Sequence, residues 1–318
     1  MAPLDDTTPA TRFDTFHVYR TSYKKIGDHE IEVGILVPKD LKPGKHPLMV
    51  KFHGGGLVTG DCLYPDWIGA FFIPLIHRTS SIVILPNYRL TPEHTGAEIL
   101  TDLSDFWTWF KAHSPSKYLA PKHADLDLDY SKVLVTGDSA GGYLALMSAL
   151  LHRSDGMKAV LAQYPMTDYL RQEKATEMLS NMPAAPESTI EKYLSGFKPG
   201  SVISSAIPPA RFDLSYALAA YGKYLTYFGE DPKLWPIGLI ADAAAMPPTW
   251  IIHGEADKVV EIGDSLKFVD QWTKNEVRGE VKLSVLPGMD HGFDDAIKED
   301  EEEWLREGLG WVQEKWLG

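Results

Sequence analysis

A glycine-bounded segment between a predicted strand and a predicted helix limits how this chain can fold. Residues 133–136 form a short apolar run typical of a buried strand, and residues 143–151 are typical of a helix. Between them lies Gly137-Asp138-Ser139-Ala140-Gly141. Glycine at both ends permits a tight turn in which a side chain would clash. The segment therefore predicts a strained strand-to-helix turn with the hydroxyl of Ser139 raised at its tip, although the pentapeptide alone also fits an ordinary glycine-rich turn.

Strands and helices alternate along most of the chain. The predicted strands are Phe16–Ile26, Ile31–Val37, Leu48–His53, Ile82–Tyr88, Val133–Thr136, Val160–Tyr164, Trp250–His253 and Val281–Leu286. The predicted helices are Glu98–His113, Gly141–Leu151 and a C-terminal stretch with Leu305, Leu309, Val312 and Trp316 on one face. The first two strands are expected to pair as a hairpin. This order predicts an α/β fold with a mostly parallel, doubly wound sheet.

Two regions depart from this alternation and are predicted to form a helical cap. They cover approximately residues 1–45 and 167–245. Because 44% of the residues are hydrophobic, one packed core can hold the whole chain, and residues 1–318 are predicted to form a single domain. The segment 216–228 predicts a helix with an aromatic stripe on one face, part of which faces Ser139. The stripe consists of Tyr221, Tyr224 and Phe228, with Tyr227 beside them.

The charge and cysteine content limit the possible partners. A formal net charge of −13 opposes binding to nucleic acid and to anionic membranes, so a small molecule is the expected partner. Cys62 is the single cysteine and cannot form an intramolecular disulfide. No stretch reads as a signal peptide or a membrane anchor, and a cytoplasmic protein is expected. A homo-oligomer is compatible with these features.

A second glycine-rich motif, His53-Gly54-Gly55-Gly56, directly follows the predicted strand at 48–52. Backbone N–H groups in such a loop can stabilise the oxyanion that develops during acyl transfer. The motif lacks the Lys-Ser/Thr ending of a phosphate-binding loop and does not open a helix as G-x-G-x-x-G does. An HGGG loop is the known partner of a G-x-S-x-G turn, and the N–H of the residue after the serine, Ala140, supplies a further donor.

Ser139 at the tip of this turn is the predicted nucleophile, and it needs a histidine as general base and an acid that orients the histidine. Proteins with this turn carry the three residues in the order serine, acid, histidine, so the base is expected to be a histidine after Ser139. Three histidines remain: His152 on the helix after Ser139, His253 at a strand end, and His291 in the loop after the last predicted strand. His291 is the best placed of these. Asp257 is the predicted acid because it lies in the loop after the preceding strand, with Glu255 as the alternative.

Taken together, these motifs resemble the hormone-sensitive-lipase-like branch of the α/β-hydrolase fold. The resemblance rests on HGGG at 53–56, NYRLTPEH at 87–94, GDSAGG at 137–142, Asp257 and DHGF at 290–293. It implies a serine-dependent carboxylic-ester hydrolase with the triad Ser139, Asp257 and His291. It also implies that Gly54, Gly55 and Ala140 form the oxyanion hole.

Several other residues are interpreted as structural. Glu93 and His94 are expected to support the oxyanion loop, His53 to hold it by hydrogen bonds, and Cys62 to be inert packing. The sequence contains no metal-ligand motif, and neither a metal nor another cofactor is expected.

The aromatic cap favours small or medium apolar acyl groups in the predicted ester site. Two alternatives stay open. One is an acyltransferase or acyl-cyclising biosynthetic enzyme with the same triad. The other is a non-catalytic ligand receptor of the same fold.

Overall fold

Eight strands form one sheet in the part of the chain that the structure describes. The structure is a computed structural model that describes residues 4, 6–154, 156–169, 185–198 and 200–318. The strands are β1 (Phe16–Ile26), β2 (His29–Pro38), β3 (Gly44–Phe52), β4 (Ile82–Pro86), β5 (Leu126–Asp138), β6 (Met157–Gln163), β7 (Thr249–Gly254) and β8 (Val281–Leu286). They lie in the order β1-β2-β4-β3-β5-β6-β7-β8. All neighbours from β4 onward are parallel, which confirms the predicted α/β fold.

The N-terminal segment corrects one expectation. Residues 16–38, which were expected within a helical cap, form the antiparallel hairpin of β1 and β2 at one edge of the sheet. The hairpin itself was predicted, and Gly27 has the positive φ of +58° that its tight turn requires. β2 pairs antiparallel with β4 and carries buried apolar residues such as Val33 and Ile35. Burial of these side chains on the sheet keeps the segment out of a cap.

Helices cover both faces of the sheet. They are α1 (Phe72–Thr79), α2 (Gly96–Lys111), α3 (Ser114–Leu119), α4 (Ala140–His152), α5 (Ser188–Ser195), α6 (Phe212–Ala220), α7 (Tyr224–Phe228), α8 (Pro236–Leu239), α9 (Ile262–Lys274) and α10 (Glu303–Leu317). The side chains of α2, α4 and α9 share one buried cluster with the sheet, and those of α1 and α10 share the other. None of the helices in the described ranges is long and apolar enough to cross a membrane.

The C-terminal helix confirms its predicted face. Leu305, Leu309, Val312 and Trp316 of α10 are all fully buried. Gly308 lies so close to Trp250 of β7 that an added Cβ would overlap the indole ring. The helix therefore packs tightly on the sheet beneath the strand that precedes Asp257.

Within its described residues, the segment between β6 and β7 carries four short helices, α5 to α8. Part of the predicted cap, residues 170–184 and 199, lies outside the described residues. The predicted aromatic stripe is wrong as a single helix face. The chain leaves α6 after Ala220, turns at Gly222 with a φ of +61°, and starts α7 at Tyr224. Glycine at that position permits the break that separates Tyr221 from Tyr224 and Phe228.

Candidate active site

Ser139 lies at the turn between β5 and α4, as its glycine-bounded motif predicts. Its backbone has φ +54° and ψ −115°, a conformation that non-glycine residues rarely adopt. An added Cβ on Gly137 would overlap the backbone of Gly141, and one on Gly141 would overlap the backbone of Phe52. The two glycines therefore allow the turn to form against the end of β3. A hydrogen bond from the amide of Ser139 to the carbonyl of Gln163 (2.8 Å) fixes the turn to β6.

The HGGG loop follows β3 and lies beside this turn. A Cβ on Gly54 would overlap the carboxylate of Asp138, and Gly55 has a φ of +94°. Among the turn and loop hydrogen bonds of the described residues, none is donated by the backbone N–H of Gly54 or Gly55. Ala140 is the first residue of α4, where a backbone N–H has no partner within the helix. These three N–H groups are thus available to a ligand oxygen.

The NYRLTPEH segment, residues 87–94, packs against the HGGG loop. The hydroxyl of Tyr88 donates a hydrogen bond to the carbonyl of His53 (2.7 Å), and the two rings stack with centroids 4.4 Å apart. The amide of Thr91 donates to the carbonyl of Leu57 at 2.8 Å. Burial lowers the pKa of His53, so its ring is neutral at physiological pH. His53 contacts the carbonyl of its neighbour Gly54 through Nδ1 at 2.9 Å.

His291 and Asp257 come together from two adjacent loops at the strand ends of β7 and β8. Nδ1 of His291 donates a hydrogen bond to Oδ2 of Asp257 at 2.7 Å. Asp290 fixes the two loops to each other, because one of its carboxylate oxygens accepts from the amides of Lys258 (3.0 Å) and His291 (2.8 Å). Glu255, the alternative acid, is exposed. The geometry therefore favours Asp257 as the partner of His291.

A second histidine, His253, lies against Asp257 and was missed as a site residue in the sequence. Its Nε2 donates to the carbonyl of Val260 (2.8 Å) and lies 3.3 Å from Oδ2 of Asp257, while Nδ1 contacts the hydroxyl of Ser265 (2.8 Å). Burial alone would raise the pKa of Asp257, but the nearby His253 and the hydrogen bond from His291 lower it below its ordinary value. Asp257 is therefore ionised at neutral pH and holds the proton of His291 on Nδ1.

A cavity of about 210 Å³ lies above the strand ends. Ser139, His291 and Gly55 line it together, as do Gly56 and Asp138. Much of the remaining wall is aromatic. Its aromatic lining residues are Trp67, Tyr164, Tyr169, Phe212, Tyr216 and Tyr224. The cavity therefore combines a serine, a histidine and a glycine loop at one end with a mainly apolar enclosure.

The cap contributes to this wall differently from the prediction. Tyr224 lines the cavity, whereas Phe228 is buried in the core against Trp235. Tyr221 and Tyr227 are half-buried and do not belong to the cavity wall. Phe212 and Tyr216 line it instead, and their position four residues apart on α6 was the available sequence signal.

The surroundings of the remaining candidate residues indicate structural roles. Cys62 is buried, and burial raises the pKa of its thiol, so it is not a reactive thiolate. His152 lies at the far end of α4, where burial lowers its pKa to about 4. Glu93 accepts hydrogen bonds from Arg211 (2.7 Å) and from Tyr193. Its ion pair joins the segment after β4 to the cap.

Comparison with known proteins assigns the chain to a family. The family profile described as "alpha/beta hydrolase fold" matches residues 49–295, and the chain belongs to this family. "Probable carboxylesterase M8" of a Phoma species is 30% identical over 319 residues, which cover 96% of this chain and 98% of the relative. "Probable carboxylesterase clz11" of Cochliobolus lunatus is 32% identical over 192 residues, covering 57% of this chain and 87% of that relative.

A solved structure supports the fold. Esterase 2 of Thermogutta terrifontis has a TM-score of 0.60 at 20% identity, covering 93% of each chain. The predicted resemblance to hormone-sensitive-lipase-like esterases is confirmed by the family and its relatives. The chain is a serine hydrolase, and its carboxylesterase relatives indicate an ester hydrolase. This class is enzymatic, so the receptor alternative is set aside.

Proposed function

We propose that the protein hydrolyses small or medium carboxylic esters through an acyl-enzyme formed on Ser139, with His291 as general base and Asp257 as the acid of the triad. The observation that carries the proposal is the hydrogen bond from Nδ1 of His291 to ionised Asp257. It leaves the other ring nitrogen unprotonated in the neutral imidazole, so Nε2 can accept a proton. Ser139 lines the same cavity as this histidine.

The first half of the reaction forms the acyl-enzyme. Nε2 of His291 takes the hydroxyl proton of Ser139 while Oγ attacks the ester carbonyl. The backbone N–H groups of Gly54, Gly55 and Ala140 stabilise the resulting oxyanion, at a few kcal/mol for each donor. The C–O bond to the alcohol then breaks, and the alcohol leaves with the proton held by His291.

The second half returns the free enzyme. His291 deprotonates a water molecule, whose oxygen attacks the acyl carbonyl, and the carboxylic acid leaves as Oγ of Ser139 regains its proton. Asp257 stays ionised throughout, orients the imidazole and stabilises its cationic form. All steps use residues of this chain.

The size of the cavity supports the proposed substrate size. Its volume of about 210 Å³ is below the ~300–1,000 Å³ usual for sites of drug-sized ligands. The aromatic rings of Trp67, Phe212 and Tyr216 favour apolar or aryl groups over long flexible chains. We therefore propose short-chain aryl esters as substrates in preference to long-chain triglycerides.

A series of p-nitrophenyl esters with acyl chains of two to twelve carbons tests this proposal. We expect kcat/KM to be highest for the short chains and to fall as the chain lengthens. Added alcohol and amine acceptors, followed by product analysis, separate hydrolysis from acyl transfer. An enzyme that cleaves no ester, that prefers the longest chains, or that passes the acyl group to an acceptor instead of water would contradict the proposal.

A further inference from the structure

One carboxylate at the cavity wall has no role in the proposed reaction. Asp295 lies four residues after His291, and its carbonyl accepts a hydrogen bond from the amide of Ala70 (3.1 Å), which fixes the backbone of this loop. The residue lines the same cavity as Ser139 and His291. A Cβ placed on Gly292, the neighbour of His291, would lie 4.0 Å from Oδ2 of Asp295. One carboxylate oxygen of Asp295 therefore lies beside Gly292, which also lines the cavity.

The other acidic side chains of this region have partners inside the protein. Asp257 accepts from His291, and Asp138 forms a buried ion pair with Lys51. Asp294 accepts from the hydroxyl of Tyr164 (2.6 Å) and from Gln163. In contrast, no hydrogen bond or ion pair within the described residues includes the carboxylate of Asp295. Its oxygens are available to a ligand in the cavity.

The surrounding charges define what this carboxylate can bind. The charged groups that act on it are Asp294 in its own loop, Asp138 at the end of β5, Lys51 on β3 and Arg12 in the N-terminal segment. The phenol groups of Tyr164 and Tyr64 are also close enough to interact with its charge. Asp295 is an exposed residue at the edge of the cavity. Partial loss of solvent around its carboxylate raises its pKa to about 8, and the nearby Asp294 and Asp138 add to this effect. As pH rises through this value, Asp295 changes from a neutral acid that can donate a hydrogen bond to a carboxylate that only accepts.

Resting on the ester hydrolysis proposed above, we propose that Asp295 is a specificity residue of this site. It binds a hydroxyl group of the substrate by a hydrogen bond and selects against esters that carry a carboxylate. A hydroxyl can donate to the carboxylate form and can accept from the acid form, so it suits both. A carboxylate on the substrate meets a like charge once Asp295 is ionised. The substrate class is therefore a hydroxylated, uncharged aryl ester.

The hydroxyl preference is tested with 3-hydroxyphenyl acetate and 3-methylphenyl acetate, whose acyl groups are identical. After correction for their rates of alkaline hydrolysis, we expect the wild type to prefer the hydroxylated ester in kcat/KM by severalfold, up to about tenfold, the value of one hydrogen bond. Asp295→Ala should lose this preference. A parallel pair, phenyl 3-hydroxybenzoate and phenyl 3-methylbenzoate, places the same groups on the acyl side.

The charge selection is tested with 3-carboxyphenyl acetate against 3-methylphenyl acetate. Both esters use the same catalytic residues, so the effect of pH on catalysis cancels in the ratio of their kcat/KM values. We expect the ratio to fall severalfold in the wild type between pH 6.5 and 9, as Asp295 ionises. In Asp295→Asn the ratio should stay constant. Asp300→Asn, which removes an exposed charge outside the cavity wall, is the matched control and should follow the wild type.

Equal substrate preferences of the wild type and the Asp295 variants, in both the hydroxyl and the carboxylate series, would overturn the inference. A uniform loss of activity on every ester would also overturn it, because such a loss shows an effect on catalysis and not on selection. Failure of the ester hydrolysis itself is recognised separately. In that case the wild type would cleave none of these acetates, whereas failure of the Asp295 inference leaves them cleaved without discrimination.

Discussion

The catalytic loops and the segment between β6 and β7 contribute to the same cavity in different ways. Ser139, the HGGG loop, Asp257 and His291 each follow the carboxyl end of a strand, where parallel strands of such sheets collect their functional groups. Their backbones are held by close glycine contacts and by hydrogen bonds between neighbouring loops. The described helices between β6 and β7 have only four to nine residues. Packing of side chains positions them.

The two regions are nevertheless joined. The hydroxyl of Tyr224 in α7 donates to the carbonyl of Gly56 in the HGGG loop at 2.9 Å. Arg211, which precedes α6, donates to the carbonyl of Thr91 and to Glu93, both at 2.7 Å. Under the proposed function, we expect the strand-end loops to supply the chemistry and the cap to set which substrate reaches it, while the contacts of the cap help to hold the HGGG loop.

The largest expected effect comes from Ser139→Ala. Removing the nucleophile should lower kcat for p-nitrophenyl acetate by about 10⁵-fold or more, in line with losses of triad serines. The fold should persist, because alanine is smaller than serine and Ser139 makes its main contacts through the backbone. Steady-state kinetics and circular dichroism measure the two effects. Ser195→Ala on the exposed surface of α5 is the matched control, and equal activity in both variants would contradict the assignment.

A smaller loss is expected from His253→Leu. The substitution removes the imidazole beside Asp257 and its hydrogen bonds to Val260 and Ser265, so the carboxylate is held less firmly. We expect kcat to fall by about tenfold with little change in KM, the cost of losing one or two buried hydrogen bonds.

His253→Gln keeps a donor and should recover part of this activity, which separates positioning from a general loss of stability. His152→Leu, at the far end of α4, is the control. Full activity in a folded His253→Leu protein would show that Asp257 needs no second histidine.

The smallest effect on total activity is expected from Tyr216→Ala, which should mainly change the preferred acyl length. Tyr216 lines the cavity from α6 and stacks on Phe212 with centroids 5.8 Å apart. Its removal should shift the optimum of the acyl-length profile towards longer chains and change kcat for the acetate only severalfold. Tyr227→Ala in α7 lies outside the cavity wall and should leave the profile unchanged. Identical profiles in wild type and Tyr216→Ala would show that α6 does not set specificity.

The difference between the regions also explains what the sequence could predict. Ser139 and the HGGG loop were predictable because their backbone conformations require glycine at fixed positions. His291 followed from its place after the last strand. His253 was missed because its position at the end of a strand does not indicate that its ring lies against the carboxylate of Asp257, four residues later. The break at Gly222 was missed because the tyrosine spacing around it fits a helix, whereas tertiary packing decides where short helices stop.

Covalent labelling tests whether Ser139 is the nucleophile. A small serine-directed fluorophosphonate, followed by intact-mass measurement and peptide mapping, should give one adduct per chain on the peptide that contains Ser139. Activity should be lost in proportion to labelling, and Ser139→Ala should take up no label. A label on another residue with Ser139 unmodified, or complete inactivation without any adduct on Ser139, would exclude Ser139 as the nucleophile.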